Sequence, residues 1–106
     1  MMILYRITPT RYFTLRNVWY RKLRDRGVRP GSVFFIPPKP TQVRAWADLL
    51  SGEQRAPVYV HRLKVDYRGG RLERFRWRGM EYSQVVIPKR GILSVKVLGT
   101  SKYVGG

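Results

Sequence analysis

The chain contains no cysteine, a single histidine and only six acidic residues. Each shortage excludes something. Without cysteine there is no disulfide, no thiol nucleophile and no thiolate-bound zinc, and the redox compartment stays open. His61 is the one histidine, and no serine stands near it in a nucleophile-base motif. The acids Asp25, Asp48, Glu53, Asp66, Glu73 and Glu81 are scattered, most with a base within a few residues, as ion-pair partners are. They offer no metal-ligand spacing. No glycine-rich phosphate loop opens a helix. No apolar run approaches the ~20 residues of a membrane-crossing helix. The 106 residues show no repeat and no linker, which leaves room for one domain with one modest core.

What is abundant is positive charge. Lysine and arginine number 22 against the six acids, a formal charge of +16. Like charges crowded on a small globule repel one another, so something outside the chain is expected to supply negative charge. Nucleic-acid phosphates, an anionic membrane surface or acidic protein neighbours would all serve. Arginine outnumbers lysine 16 to 6. Guanidinium is planar and forked, grips phosphate with two hydrogen bonds and stacks on bases. A GC-rich genome would also raise arginine, but it would not remove carboxylates. Hydrophobic residues make up 43% of the chain, so it can bury a core and is not a disordered basic tail.

Met1–Ile7 is apolar apart from Arg6 and reads as a short strand or an anchoring segment. Thr8-Pro9 looks like a helix start, with Thr8 as N-cap. Tyr12, Leu15, Trp19 and Leu23 recur at helical spacing, which predicts a basic amphipathic helix over Thr10–Arg26 that ends at Gly27. Ser32–Ile36 reads as a buried strand, and Pro37–Pro40 as a stiff connector. A second helix is predicted over Thr41–Ser51, with Val43, Trp46, Ala47 and Leu50 inward and Gly52 as the stop. The rest looks like antiparallel strands. Pro57–Tyr67 and Leu72–Arg78 form a predicted hairpin, and Glu81–Ile87 with Ile92–Leu98 a second one around Pro88–Gly91. Gly99–Gly106 is expected to be a short extended tail. The fold class expected is thus α+β: two helices and an antiparallel sheet of about five strands, with a small SH3-like, partly closed barrel as one form it can take.

The register of the first hairpin can be argued. A two-residue Gly69-Gly70 loop would set Asp66 against Glu73, a like-charge clash. A three-residue loop sets Val65 against Phe75, Leu63 against Trp77 and Asp66 against Arg74. One face would then carry Arg62, Lys64, Arg74, Arg76 and Arg78 with Asp66 as its one acid. Solvated faces normally mix signs, so five bases to one acid point to phosphate contact. The turn at Lys89-Arg90 is a second candidate contact. Arg11, Arg16, Arg21, Lys22 and Arg24 on the first helix are a third. These twelve are the candidate RNA-binding residues; no catalytic or metal-binding residue and no cofactor is expected.

Tyr12, Trp19, Trp46, Phe75 and Trp77 sit at core-like positions. Phe34 and Phe35 point to opposite sides of a strand, so one of them could face a partner. His61 alternates with Tyr59 and Leu63 and reads as a half-buried core histidine. None of the aromatic, GXXG or zinc-knuckle signatures of common RNA-recognition modules is present, so recognition of RNA shape and backbone is expected.

Short, arginine-rich, free of cysteine and laid out as a compact α+β body with basic loops and ends, the chain resembles organellar ribosomal proteins as a class. The stretch Val28-Arg-Pro-Gly-Ser-Val-Phe-Phe-Ile is similar to the loop-then-strand entry of small SH3-like barrels in ribosomal proteins. The resemblance implies a single RNA-binding domain over residues 1–106, a structural subunit of a mitochondrial ribosome. Its partners would be ribosomal RNA and neighbouring ribosomal proteins, with no small-molecule substrate and no membrane span. The acid-free, arginine-rich Met1–Arg24 has the features of a mitochondrial import sequence and points to the matrix. A basic accessory subunit of an organellar membrane complex is the alternative, because Met1–Ile7 and the helix after it fit an interfacial anchor. A small DNA-binding or phage-encoded protein is a third reading. Catalysis is not expected.

Overall fold

The computed structural model describes residues 2–16, 18, 19 and 31–105. Among them are six strands and one α-helix: β1 (Met2–Thr8), β2 (Ser32–Phe35), α1 (Pro40–Gln54), β3 (Val58–Tyr67), β4 (Arg71–Trp77), β5 (Met80–Pro88) and β6 (Ile92–Tyr103). The strands make two antiparallel three-stranded sheets, ordered β1-β3-β6 and β2-β5-β4. One antiparallel bridge joins them. Tyr5 and Ile36 exchange backbone hydrogen bonds of 2.9 and 2.7 Å.

This corrects the expected architecture of two helices on one five-stranded sheet with SH3-like closure. It also corrects both predicted hairpins. β3 does not pair with β4, so the register of Val65 on Phe75 and Leu63 on Trp77 does not exist. Leu63 instead lies between Leu4 and Val97, and Val65 between Met2 and Val95. β5 likewise does not pair with β6. The segments 68–70 and 89–91, which looked like hairpin turns, carry the chain from one sheet to the other. They lie against each other: Arg68 N–H donates to the Gly91 carbonyl at 2.9 Å. A Cβ on Gly91 would run into the Arg68 carbonyl oxygen, so glycine is required by this close approach.

The local hairpin is the one between β4 and β5. Its two-residue turn is Arg78-Gly79, with φ of 49° and 78°. Positive φ at both positions matches the type I′ turns that suit strand twist. Asn-Gly is the usual signal there. An arginine in that conformation costs about 1–2 kcal/mol, and it hid the turn from sequence reasoning.

Of the predicted helix over 10–26, residues 10–16, 18 and 19 form bends and turns and no helix; position 17 and positions 20–26 lie outside the described residues. Tyr12 is exposed there, against its expected core place, while Trp19 is buried and donates its indole N–H to the Ile7 carbonyl at 2.8 Å. The second helix begins with Pro40 in its first turn and Lys39 as an N-cap without a side-chain hydrogen bond, so Thr41 is not the cap. It runs through Gly52 and ends at Arg55, held at φ 58°. The expected C-terminal tail is instead strand: residues 99–103 complete β6.

Two clusters make the core. Between the two sheets lie Leu4, Leu63 and Val65 on one side and Val33, Phe35, Val85 and Ile87 on the other. Under the helix, Trp46, Ala47 and Leu50 meet Ile7, Val58, Phe34, Ile36 and Tyr82. β2 feeds both clusters, so Phe34 and Phe35 are both buried and neither is free for a partner. Where β2 ends, the helix takes its place beside β5. Gln42 Oε1 accepts from Ser83 N–H and Trp46 Nε1 donates to the Ser83 carbonyl, each at 2.7 Å. Two strand groups that would otherwise lack partners are thereby satisfied.

Two of the buried polar side chains, Arg6 and His61, carry basic groups. Arg6 is 2% exposed. Its guanidinium donates to the carbonyls of Thr14 (2.7 Å), Phe34 (2.9 Å) and Arg16 (2.5 Å). It lies 5.8 and 5.9 Å from the ring centres of Phe34 and Phe35. Burial pulls its pKa down to about 10, which still leaves it charged at neutral pH. His61 is a core histidine, as expected, but fully buried where half-burial was expected. Thr8 Oγ1 donates to the Thr10 carbonyl (2.6 Å), so it accepts from His61 Nε2–H (2.6 Å), and Nδ1 accepts from Thr100 Oγ1 (2.8 Å). The lowered pKa keeps the imidazole neutral at neutral pH, and the Thr8 contact places its one proton on Nε2.

Burial first, and the charge of Arg6 second, hold the His61 pKa below its ordinary value. The unfolded chain then takes up a proton that the folded chain refuses. Stability is present above the free-imidazole value near 6.5 and falls as pH drops toward the lower folded value. Melting curves from pH 8 to pH 5 are expected to show this decline. An NMR titration of His61 with its midpoint at or above 6.5 contradicts it.

Candidate nucleic-acid interface

The twelve sequence-predicted contacts are scattered by the fold. Arg11 and Arg16 are exposed in the segment after β1; Arg21, Lys22 and Arg24 lie outside the described residues. Lys89 and Arg90 are exposed on the 3-10 turn between the sheets. Arg62 and Lys64 are exposed on β3, while Arg74 and Arg76 are exposed on β4 of the other sheet. Arg78 sits in the β4-β5 turn, its guanidinium 5.5 Å from the Trp77 ring centre. The expected single face of five bases does not form, because it rested on a β3-β4 pairing that the chain does not make.

A different cluster does form. Directly paired residues in an antiparallel sheet point to the same side. On the side of the first sheet that turns away from the second, Arg62 pairs with Tyr5 and Gly99, and Lys64 with Ile3 and Lys96. Arg62, Lys64 and Lys96 are all exposed. Lys64 directly opposite Lys96 is a like-charge pair, which destabilises a sheet unless an anion offsets it. Asp66, opposite Ser94, is the acid at the far end of this face. β4 is better compensated. Arg76 pairs with Glu81, and Arg71 Nε lies 2.7 Å from Glu73 Oε2. On β3 and β6 three cations thus share one face with a single acid, Asp66, in the row beyond the lysines, while on β4 Arg74 lies opposite Ser83.

Lys96 was not singled out in the sequence. Its strand alternates Ser94, Lys96 against Val95, Val97, but the alternation does not name a partner. Only the register sets it beside Lys64.

The same face continues into a cleft of about 420 Å³. α1 covers the end of the sheet that holds Ile7, Val58 and Val60, and the cleft opens where the covering ends. Tyr5, Val60 and Tyr103 of the sheet face Pro38, Pro40, Val43, Arg44 and Ala47 of the helix and its lead-in. Val60 and Arg62 are two residues apart on β3, so Arg62 stands one step along the same face from the cleft wall. The Tyr103 hydroxyl donates to the Asp48 carboxylate, which raises the phenol pKa and keeps it neutral, with burial and the charge of Asp48 acting in the same direction. That bond also fixes the Tyr103 ring as a wall. The cleft is apolar, with Arg44 as its basic member.

Among the described residues no group of histidine, cysteine, aspartate and glutamate is placed to hold a metal ion. No helix among them is long and apolar enough to cross a membrane. No protein-family model matches the chain, and no curated protein or solved structure matches it either.

Proposed function

We propose that this chain is a structural RNA-binding subunit of a large ribonucleoprotein, acting by binding and not by catalysis. The observation that carries the proposal is the Lys64–Lys96 pair flanked by Arg62 on an open sheet face. A free protein gains nothing from opposed cations, whereas a phosphate backbone bridging them removes the repulsion and releases counterions. β3 is paired on both sides and β6 on one, and strand side chains so held position these cations better than a tail does. The excess of arginine, with guanidinium suited to phosphate, and the +16 charge support RNA as the source of phosphate. A mitochondrial ribosome is the particle this proposal favours, on the chain's composition and its acid-free first 24 residues. Ribosomal RNA and adjoining ribosomal proteins are then its partners.

Sedimentation of the tagged chain in a native extract tests the reading. The chain is expected to travel with ribosomal RNA in a density gradient and to move to the top after RNase treatment. Co-migration with a detergent-solubilised membrane complex, unchanged by RNase, would overturn it and assign the charge to lipid or protein contacts.

A further inference from the structure

We infer that the cleft between α1 and the first sheet takes an unstacked nucleobase, so that the RNA this face binds is single-stranded. The inference rests on the proposed RNA binding and adds the form of RNA to it. Four observations lead there. The walls are aromatic and apolar: Tyr5 and Tyr103 from the sheet, Pro38 and Pro40 from the lead-in to the helix. Its volume, about 420 Å³, lies within the roughly 300–1,000 Å³ of clefts that bury small-molecule ligands. Charge is arranged for a nucleotide and not for a free apolar molecule. Arg44 lies in the lining, and Arg62, Lys64 and Lys96 run away from it along one face. A base stacked on Tyr5, which lies opposite Arg62, would therefore direct its sugar-phosphate toward Arg62 and the next phosphate toward the two lysines.

The fourth observation concerns what cannot enter. A duplex keeps its bases stacked and presents phosphates and groove edges. The cleft can hold a base only after it has left the stack. Ring-on-base stacking tolerates any base, because every base has a flat face. The polar groups here are few, and the Tyr103 hydroxyl is already engaged by Asp48. Recognition should thus be of strandedness and not of sequence.

The test uses the full chain and a fluorescently labelled RNA of mixed sequence, free or annealed to its complement. Tyr5→Leu and Tyr103→Leu are each expected to weaken single-strand binding by about tenfold, the usual loss for one stacked base. Duplex binding should not change. Tyr103→Phe keeps the ring but gives up its bond to Asp48, and should lose less affinity than Tyr103→Leu. A second measurement places 2-aminopurine in the single strand, where stacking on a tyrosine quenches its emission when the native chain binds. Binding without quenching overturns the inference, and so does unchanged single-strand affinity in folded Leu variants. In either case RNA binding itself still stands. A native chain that binds neither RNA form sinks the proposed function, and the inference falls with it.

Discussion

Arg6→Met is expected to lower the stability of the folded chain by about 3 kcal/mol, the cost of orphaning several buried acceptors at once. Two effects oppose each other at this site. The buried cation has no carboxylate partner among the described residues, and its desolvation is a standing cost that methionine would remove. Against that, methionine leaves the carbonyls of Thr14, Arg16 and Phe34 without their donor, at about 1–3 kcal/mol each where they stay dry. It also gives up the placement of the guanidinium near Phe34 and Phe35. Three acceptors outweigh one cation that is already well hydrogen-bonded. Arg6→Lys keeps the charge but not the fork. One ammonium on a shorter reach cannot serve three carbonyls that a planar group spans, so it too is expected to be destabilised, by about 2 kcal/mol. Urea unfolding at neutral pH measures both. A methionine variant with a midpoint at or above that of the native chain would show that the charge costs more than its hydrogen bonds return. The consequence reaches the interface. Arg6 anchors the strand whose neighbouring residue, Tyr5, forms a wall of the cleft on the opposite side.

Replacing Arg62, Lys64 and Lys96 together by glutamine is expected to separate stability from binding. Affinity for single-stranded RNA should fall. The slope of log affinity against log salt should flatten by about 2, because each lost phosphate contact contributes about 0.7 on a single strand. Stability should not fall, since the substitution removes the opposed Lys64–Lys96 pair. The matched control is Arg74, Arg76 and Arg78 replaced by glutamine on the other sheet. Arg76 already faces Glu81, so this set is expected to change the slope less. A larger loss in the control set would move the interface to β4 and its turn. A triple variant that melts well below the native chain would mean that these side chains hold the sheet and not a ligand.

Several features were legible because they are local. The Ser32–Ile36 strand is a run of β-branched and aromatic residues after a turn, and the structure holds a strand at Ser32–Phe35 with Ile36 in the bridge to Tyr5. Trp46, Ala47 and Leu50 repeat at helical spacing and are the buried face of α1. The alternation that put His61 with Leu63 on the inner side of β3 is a property of any strand. Other features were hidden for equally physical reasons. Gly69-Gly70 carries the same signal whether the chain turns back beside itself or crosses to another sheet. Arg78-Gly79 does turn back, but its arginine masks the left-handed conformation. Arg6 looks like a solvated cation, and nothing in its own segment announces three carbonyls contributed from residues 14, 16 and 34. Tyr12 fits a helical stripe that the described residues around it do not form.

Taken alone, the sequence determined the charge, the single-domain size, the exclusion of disulfide and thiol chemistry, and the local runs that become strand or helix. These depend on composition and on neighbours within a few residues. The tertiary structure alone decided which strands meet. Period-two alternation sorts side chains into two faces but says nothing about which strand supplies the facing row. That choice was made by the fit of Leu63 and Val65 against β1 and β6 across long stretches of chain. It put Lys96 beside Lys64, sent Arg74 and Arg76 to the other sheet, and opened the cleft beside Tyr5.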